Sequence, residues 1–122
     1  MKRSFYISLM DSMQGLIHAC TTERNMKIHL VLFVAAIVIF TVLGANKMEM
    51  ALILLASGLV LVAELFNTAI ENLIDVKVEK QYHPLAWIAK DVAAGGVLFA
   101  SLISVVIGVL VFISILERTK VL

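Results

Sequence analysis

The chain has 122 residues, 61% of them hydrophobic, and a mean hydropathy of +1.02. A composition this apolar excludes a soluble domain of this size, because too few polar residues remain to cover its surface. Ten Lys and Arg nearly balance nine Asp and Glu, which gives no indication of a nucleic-acid partner, and the single Cys excludes an internal disulfide. We therefore predict an all-α membrane protein with one domain over residues 1–122.

The first predicted element is an amphipathic helix over residues 4–22. Polar residues, among them Asp11 and Gln14, occupy one of its faces. The other face is apolar and carries Phe5, Leu9, Met13, Leu16 and Cys20. Such a helix, with basic residues in front of it, is typical of a surface helix in the membrane interface. Packing of the apolar face on the protein's own helices is an equally good interpretation.

Three apolar stretches follow, at residues 28–44, 50–71 and 92–116. Each is long enough to cross a bilayer as a helix, which takes roughly 17–25 residues. Residues 46–49 are predicted as a tight connector between the first two, and His29 in the first is interpreted as structural or solvated. In the third span, Gly96, Ala100, Ser104 and Gly108 recur every four residues, a pattern typical of close helix packing.

Residues 76–90 form the longest polar segment, in which Pro84 can begin a new helix. Seven Lys and Arg lie on the side of the N-terminus and of this segment, and three lie on the opposite side. The positive-inside rule therefore places the N-terminus and residues 76–90 in the cytoplasm.

A polar stripe interrupts the second span in its later half. Glu64, Asn67, Glu71 and Asp75 fall on one helix face when successive residues are placed 100° apart. Because ionisable groups are costly inside a membrane, the stripe predicts a functional site. Three spans cannot enclose it by themselves, so we expect a homo-oligomer that hides the stripe between subunits.

The predicted topology gives this stripe a depth. Glu71 is expected close to the cytoplasmic interface, and Glu64 roughly 10 Å further into the membrane. Glu23 lies at the cytoplasmic end of the first span, just before its first residue, and is expected at the depth of Glu71. Two such carboxylates can share a Mg²⁺ ion whose remaining positions phosphate oxygens fill. Asn67 can orient a neighbouring carboxylate, and Glu64 can take a proton from a lipid hydroxyl.

Basic and imidazole side chains in the cytoplasmic segment, Lys77, Lys80, His83 and Lys90, supply donors for a polyphosphate. Together these parts suggest phosphoryl transfer from a nucleotide to a membrane alcohol, although the sequence has no Gly-rich phosphate loop. Spacing alone leaves two interpretations open. One is a lipid-modifying enzyme, and the other is a small oligomeric transporter that uses Glu64 as a proton-coupled site.

Three runs of residues carry a family pattern: Glu-Leu-Phe-Asn-Thr-Ala-Ile-Glu-Asn-Leu-Ile-Asp at 64–75, Tyr-His-Pro-Leu-Ala at 82–86 and Ile-Ala-Lys-Asp at 88–91. The chain resembles, over nearly its whole length, the small prokaryotic diacylglycerol kinases, a family that includes the undecaprenol kinases. The resemblance implies a homotrimeric helical bundle in the bacterial inner membrane. It also implies active sites between subunits at the cytoplasmic face, with ATP as phosphoryl donor and Mg²⁺ as cofactor.

The resemblance implies roles for individual residues. Glu64 would be the catalytic base, Asn67 would support it, and the lipid would bind at Glu64 with Asp11 and Gln14 at its entry. Glu23 and Glu71 would hold the metal. The expected ATP-binding residues are Glu23, Glu71, Asp75, Gln81, Tyr82, His83, Lys90 and Asp91, the last two also belonging to the catalytic cluster.

The sequence of residues 83–91 is more similar to the undecaprenol kinase branch of the family than to the diacylglycerol kinase branch. Undecaprenol is therefore the predicted acceptor and diacylglycerol the alternative. Gln81 stands where the family often has an acidic residue, and Trp87 where a Lys is often found. The segment from Asp75 to His83 is also one residue longer than usual, so all three departures concern the nucleotide end.

Overall fold

The computed structural model describes residues 3–79 and 81–120. Within that range the chain forms no strand and four helices, α1 (Phe5–Thr22), α2 (Arg24–Val42), α3 (Lys47–Val78) and α4 (Pro84–Arg118). The last three are long and apolar enough to cross a membrane, which confirms the predicted fold class. Lys2 and Lys80, which contributed to the predicted topology and polyphosphate site, lie outside the described residues.

The polar segment at 76–90 is mostly helical rather than a loop. α3 continues to Val78, where Glu79 ends it in a left-handed conformation with φ 49°, and α4 already begins at Pro84. Pro84 suits the first turn of a helix because its missing N–H would have no partner there. Both helices therefore extend beyond the predicted spans, and their ends face each other across a connection of five residues.

α3 is the central helix and packs against both α2 and α4. A buried apolar cluster of Ile53, Val111 and Ile115 joins α3 to α4 near the start of α3. Towards the other end of α3 the buried positions are polar instead: Glu64, Asn67 and Thr68. Apart from Glu49 in its first turn, α3 thus has apolar buried positions in its first half and polar ones in its second half.

The connector predicted at 46–49 is wrong in its extent, because α3 begins at Lys47. Asn46 caps it, with its side-chain oxygen accepting from the Glu49 N–H at 2.8 Å, while Glu49 Oε1 accepts from the Asn46 N–H at 2.9 Å. Reciprocal bonds of this kind satisfy two donors that the first turn of a helix leaves free. The capping box therefore brings residues 47–49 into the helix.

Glu49 also fastens α3 to α4. Its Oε2 accepts from Ser114 Oγ and from Arg118 Nη1, both at 2.6 Å. Arg118 Nη2 donates to the Gly44 carbonyl at 2.7 Å. These residues (Glu49, Ser114, Arg118 and Gly44) form the Glu49 cluster. It ties the α2–α3 connection, the start of α3 and the end of α4 together.

The apolar face of α1 is uncovered in the single chain. Phe5 is 84% exposed, Leu9 and Met13 are half exposed, and Ala19 is the one buried residue of the helix. Packing of this face on the chain's own bundle is therefore not observed. A position in the membrane interface stays a prediction.

Candidate functional site

The polar stripe of α3 forms a compact group at its buried face, here called the α3 polar cluster (Glu64, Asn67 and Glu71). Glu64 is 3% exposed and Asn67 4%. Asn67 Nδ2 donates to Glu71 Oε1 at 3.1 Å, one turn further along the helix. Within the described residues, the buried Asn67 Oδ1 has no hydrogen-bond partner. Because buried polar atoms are nearly always bonded, this open acceptor needs a partner that the single chain does not supply.

His29 on α2 faces this cluster. Its Nε2 lies 3.8 Å from Glu64 Oε2, and the imidazole is largely shielded from solvent. The distance is too long for a direct hydrogen bond and short enough for electrostatic contact. His29 was interpreted as structural or solvated. The sequence feature that could have indicated its contact with Glu64 is an ionisable side chain near the start of an apolar span.

A second group of predicted residues lines a pocket of about 450 Å³ between the end of α3 and the start of α4. We call it the helix-end pocket. Lys90 Nζ, which lines it, lies 2.9 Å from Asp75 Oδ1. Its lining residues are Ile74, Asp75, Val78, Gln81, Tyr82, Ala86, Trp87 and Lys90. Four of the predicted ATP-binding residues thus line one pocket: Asp75, Gln81, Tyr82 and Lys90.

The remaining predicted residues are less tightly joined. Glu23 lies between α1 and α2 and is half-buried. In the part of the chain that the structure describes, no three His, Cys, Asp or Glu side chains gather into a metal-binding group. The assignment of Glu23 and Glu71 as metal ligands therefore stays a prediction.

Other predicted positions lie outside the helix-end pocket. His83 precedes α4 as its N-cap residue, and Asp91 is exposed one residue beyond Lys90. On α1, Asp11 and Gln14 are exposed, and Asp11 pairs with Arg3. The roles predicted for these four residues, at the nucleotide and at the lipid entry, stay predictions.

A cleft that the sequence did not indicate opens between α2, α3 and α4. It has a volume of about 270 Å³, and His29 connects it to Glu64. Its walls combine apolar side chains with hydroxyls: Leu32, Phe33, Ala36, Val60 and Val105, together with Ser57, Ser101 and Ser104. The cleft therefore lies next to the buried carboxylate of Glu64, with His29 between them.

Comparison of the sequence with known proteins identifies a family to which the chain is similar. A family model described as prokaryotic diacylglycerol kinase matches residues 10–112, a range that contains every predicted site residue. The chain is 40% identical over 102 residues to a diacylglycerol kinase of Synechocystis sp., covering 84% of this chain and 58% of that relative. It is 36% identical over 109 residues to an undecaprenol kinase of Bacillus subtilis, covering 89% and 88%. A diacylglycerol kinase of Escherichia coli is 30% identical over 95 residues, or 78% and 77% of the two chains.

Proposed function

Because the chain belongs to the prokaryotic diacylglycerol kinase family, we propose that it is a membrane lipid kinase that transfers a phosphoryl group from ATP to a lipid hydroxyl. One observation carries the proposal. A single helix, α3, presents a buried carboxylate at Glu64 and, three turns later, Asp75 at the exposed helix-end pocket. A membrane-bound acceptor and a water-soluble donor can therefore meet along one helix face.

Glu64 is the proposed general base. It takes the proton of the lipid hydroxyl as the hydroxyl oxygen attacks the terminal phosphorus of ATP and ADP leaves. Its burial keeps water, a competing acceptor for the phosphoryl group, away from the reacting hydroxyl. Asn67 fixes the neighbouring Glu71 through their 3.1 Å hydrogen bond and keeps its own Oδ1 free for a ligand.

The donor set fits the Mg²⁺ that this family implies. Glu23 and Glu71 would hold the ion, because Mg²⁺ typically takes one or two protein carboxylates and completes its shell with water and substrate phosphates. When bound, Mg²⁺ would neutralise charge on the phosphates. The chain's own contribution is to fix Glu71 through Asn67.

Lys90 is the proposed phosphate-binding cation. Its present partner Asp75 has a side chain that is 61% exposed. A pair with such an exposed member is worth only roughly 0–1 kcal/mol. Exchange of Asp75 for a phosphate oxygen therefore costs little and forms a charge-assisted bond at the pocket.

Undecaprenol is the proposed acceptor. The wording of residues 83–91 supports it, and so does the match to the undecaprenol kinase of Bacillus subtilis over nearly the full length of both chains. The cleft lined by His29 offers largely apolar walls for an isoprenoid chain close to Glu64, because His29 Nε2 lies 3.8 Å from Glu64 Oε2. Diacylglycerol is the second candidate, because the relative from Synechocystis sp. has that name and the higher identity.

The proposal is tested by phosphoryl transfer from radiolabelled ATP to each lipid in detergent micelles, with and without Mg²⁺. We expect labelled undecaprenyl phosphate with Mg²⁺ and none without it. Faster labelling of diacylglycerol than of undecaprenol would make diacylglycerol the preferred acceptor. No transfer to either lipid, together with proton-coupled uptake in vesicles, would replace the kinase with a transporter.

We further propose that the enzyme is a homotrimer in the bacterial inner membrane, with the N-terminus and the active site in the cytoplasm. The small-residue stripe on α4 supports an interface between subunits. A side chain added at Gly96 would meet open space in the single chain, whereas one at Gly108 would contact Phe40 of α2 at 3.9 Å. Gly96 is therefore the member of the stripe that best reports on contacts between chains.

We expect Gly96→Leu to reduce the crosslinked trimer strongly, because a large side chain prevents close approach of helices. Gly95→Leu is the matched control, since Gly95 is also open in the single chain but lies off the stripe. Both variants gain helix propensity, so neither should weaken α4 itself. Intact trimers in Gly96→Leu on crosslinking in the membrane would contradict this interface.

A further inference from the structure

Two aromatic side chains form walls of the helix-end pocket. Trp87, the single tryptophan of the chain, is 48% exposed, and Tyr82 is 73% exposed. Their ring centroids lie 6.2 Å apart with a tilt of 33°. Lys90 Nζ, one turn after Trp87 on α4, lies 4.9 Å from the centre of the indole ring. The pocket thus presents a large aromatic surface beside a cation.

Exposed aromatic rings near a membrane have two common explanations. They anchor a protein among lipid headgroups, or they stack on a ligand. The surroundings of Trp87 favour a ligand. The ring borders a cavity of about 450 Å³, within the size range of small-molecule sites, and shares it with a carboxylate, an amide and an ammonium group.

The ligand that suits this lining has a flat ring and negative charge. The indole offers a stacking face, and the ammonium of Lys90 binds phosphate oxygens. We propose that Trp87 stacks on the nucleobase of the phosphoryl donor and holds the nucleotide at the helix-end pocket. The inference rests on the proposed function for the identity of that donor as a nucleotide.

Stacking reads the flat face of a base and not its hydrogen-bonding edge, so it tolerates different bases. The site should therefore bind ATP and GTP with similar affinity. Inorganic tripolyphosphate, which has the charge without the ring, should bind more weakly. This pattern separates a stacking site from one that depends on phosphate contacts alone.

Because the chain has one tryptophan, its intrinsic fluorescence reports on Trp87 alone. We expect saturable quenching by ATP and by GTP with similar Kd, and no quenching by tripolyphosphate, which at higher concentration should reverse the ATP signal by competition. An unchanged emission under conditions where ATP supports phosphoryl transfer would overturn the stacking role and leave the kinase standing. Quenching without transfer to any lipid would overturn the kinase and leave the nucleotide site.

Two variants test the same point through kinetics. Trp87→Leu should raise the KM for ATP about tenfold, the usual scale for loss of one base–aromatic stack, with little change in kcat at saturating ATP. Trp87→Tyr keeps a stacking face and should restore most of the affinity. Equal KM values in Trp87→Leu and the unmodified enzyme would contradict the proposal. So would emission that responds to headgroup-brominated lipids and not to ATP, which would make Trp87 an interface anchor.

Discussion

Two buried glutamates lie on α3 about 22 Å apart, and their surroundings differ completely. Glu49 is 5% exposed, and its oxygens accept hydrogen bonds from the Asn46 N–H, Ser114 and Arg118. Glu64 is 3% exposed, and its near partner, His29, lies 3.8 Å away. The comparison shows that burial of a carboxylate says little about its purpose until its partners are counted.

The difference follows from the cost of burying charge. A buried carboxylate whose lone pairs are satisfied by its own chain fastens helices together and has little capacity left for a ligand. A buried carboxylate whose nearest cationic partner is an imidazole 3.8 Å away, next to an open acceptor at Asn67 Oδ1, keeps that capacity. The Glu49 cluster therefore serves the fold, and we assign the chemistry to the α3 polar cluster.

The sharpest way to break this comparison is Glu64→Gln. We expect kcat to fall by roughly 10²–10⁴-fold, the usual contribution of a general base, with ATP affinity and thermal stability retained. Radiolabelled phosphoryl transfer measures the first, and nucleotide titration with a melting curve measures the others. Unchanged turnover would remove Glu64 as the base, and loss of trimer or stability would return it to a structural role.

A smaller effect is expected from Glu71→Gln. The amide keeps an oxygen for the hydrogen bond from Asn67, so this variant removes the charge without removing the contact. Loss of a group that only supports a ligand costs metal sites about 10–100-fold, so for loss of a direct ligand we expect Mg-ATP affinity to fall at least that far, and higher Mg²⁺ to restore part of it. Titration of Mg²⁺ at fixed ATP measures this.

Asn67→Ala is the companion variant, because it keeps the Glu71 charge and removes the group that positions it. It should weaken Mg-ATP binding by less than Glu71→Gln. Normal nucleotide affinity in Glu71→Gln would exclude Glu71 as a metal ligand, whatever Asn67→Ala does.

The parts of this molecule that are visible in the sequence are those set by local pattern. Hydropathy gives three long helices, and a 100° repeat places Glu64, Asn67 and Glu71 on one face. Each of these two conclusions needs only the residues of one helix. The nucleotide-binding residues that the family resemblance implies stay a prediction, and the 2.9 Å contact between Asp75 on α3 and Lys90 on α4 was not predicted.

Contacts between distant segments were missed. Glu49 reaches Ser114 and Arg118, which are 65 and 69 residues away, only because α3 and α4 pack side by side. The Asn-x-x-Glu spacing at residues 46–49 is typical of a capping box at a helix start, whereas these residues were predicted as a connector. His29 meets Glu64 across two helices, so hydropathy alone cannot indicate the pair.

The smallest effect on turnover is expected at the Glu49 cluster, with Arg118→Met. It leaves Glu49 buried without its cation and cuts the bond to the Gly44 carbonyl, so the apparent melting temperature should fall by several degrees. Turnover of the folded enzyme at low temperature should not change, because the cluster lies at the other end of α3. Lys120→Met is the control, since it removes a charge at the same end without touching the cluster. Lost turnover with an unchanged melting temperature in Arg118→Met would show that the Glu49 cluster contributes to the reaction and not only to the stability of the fold.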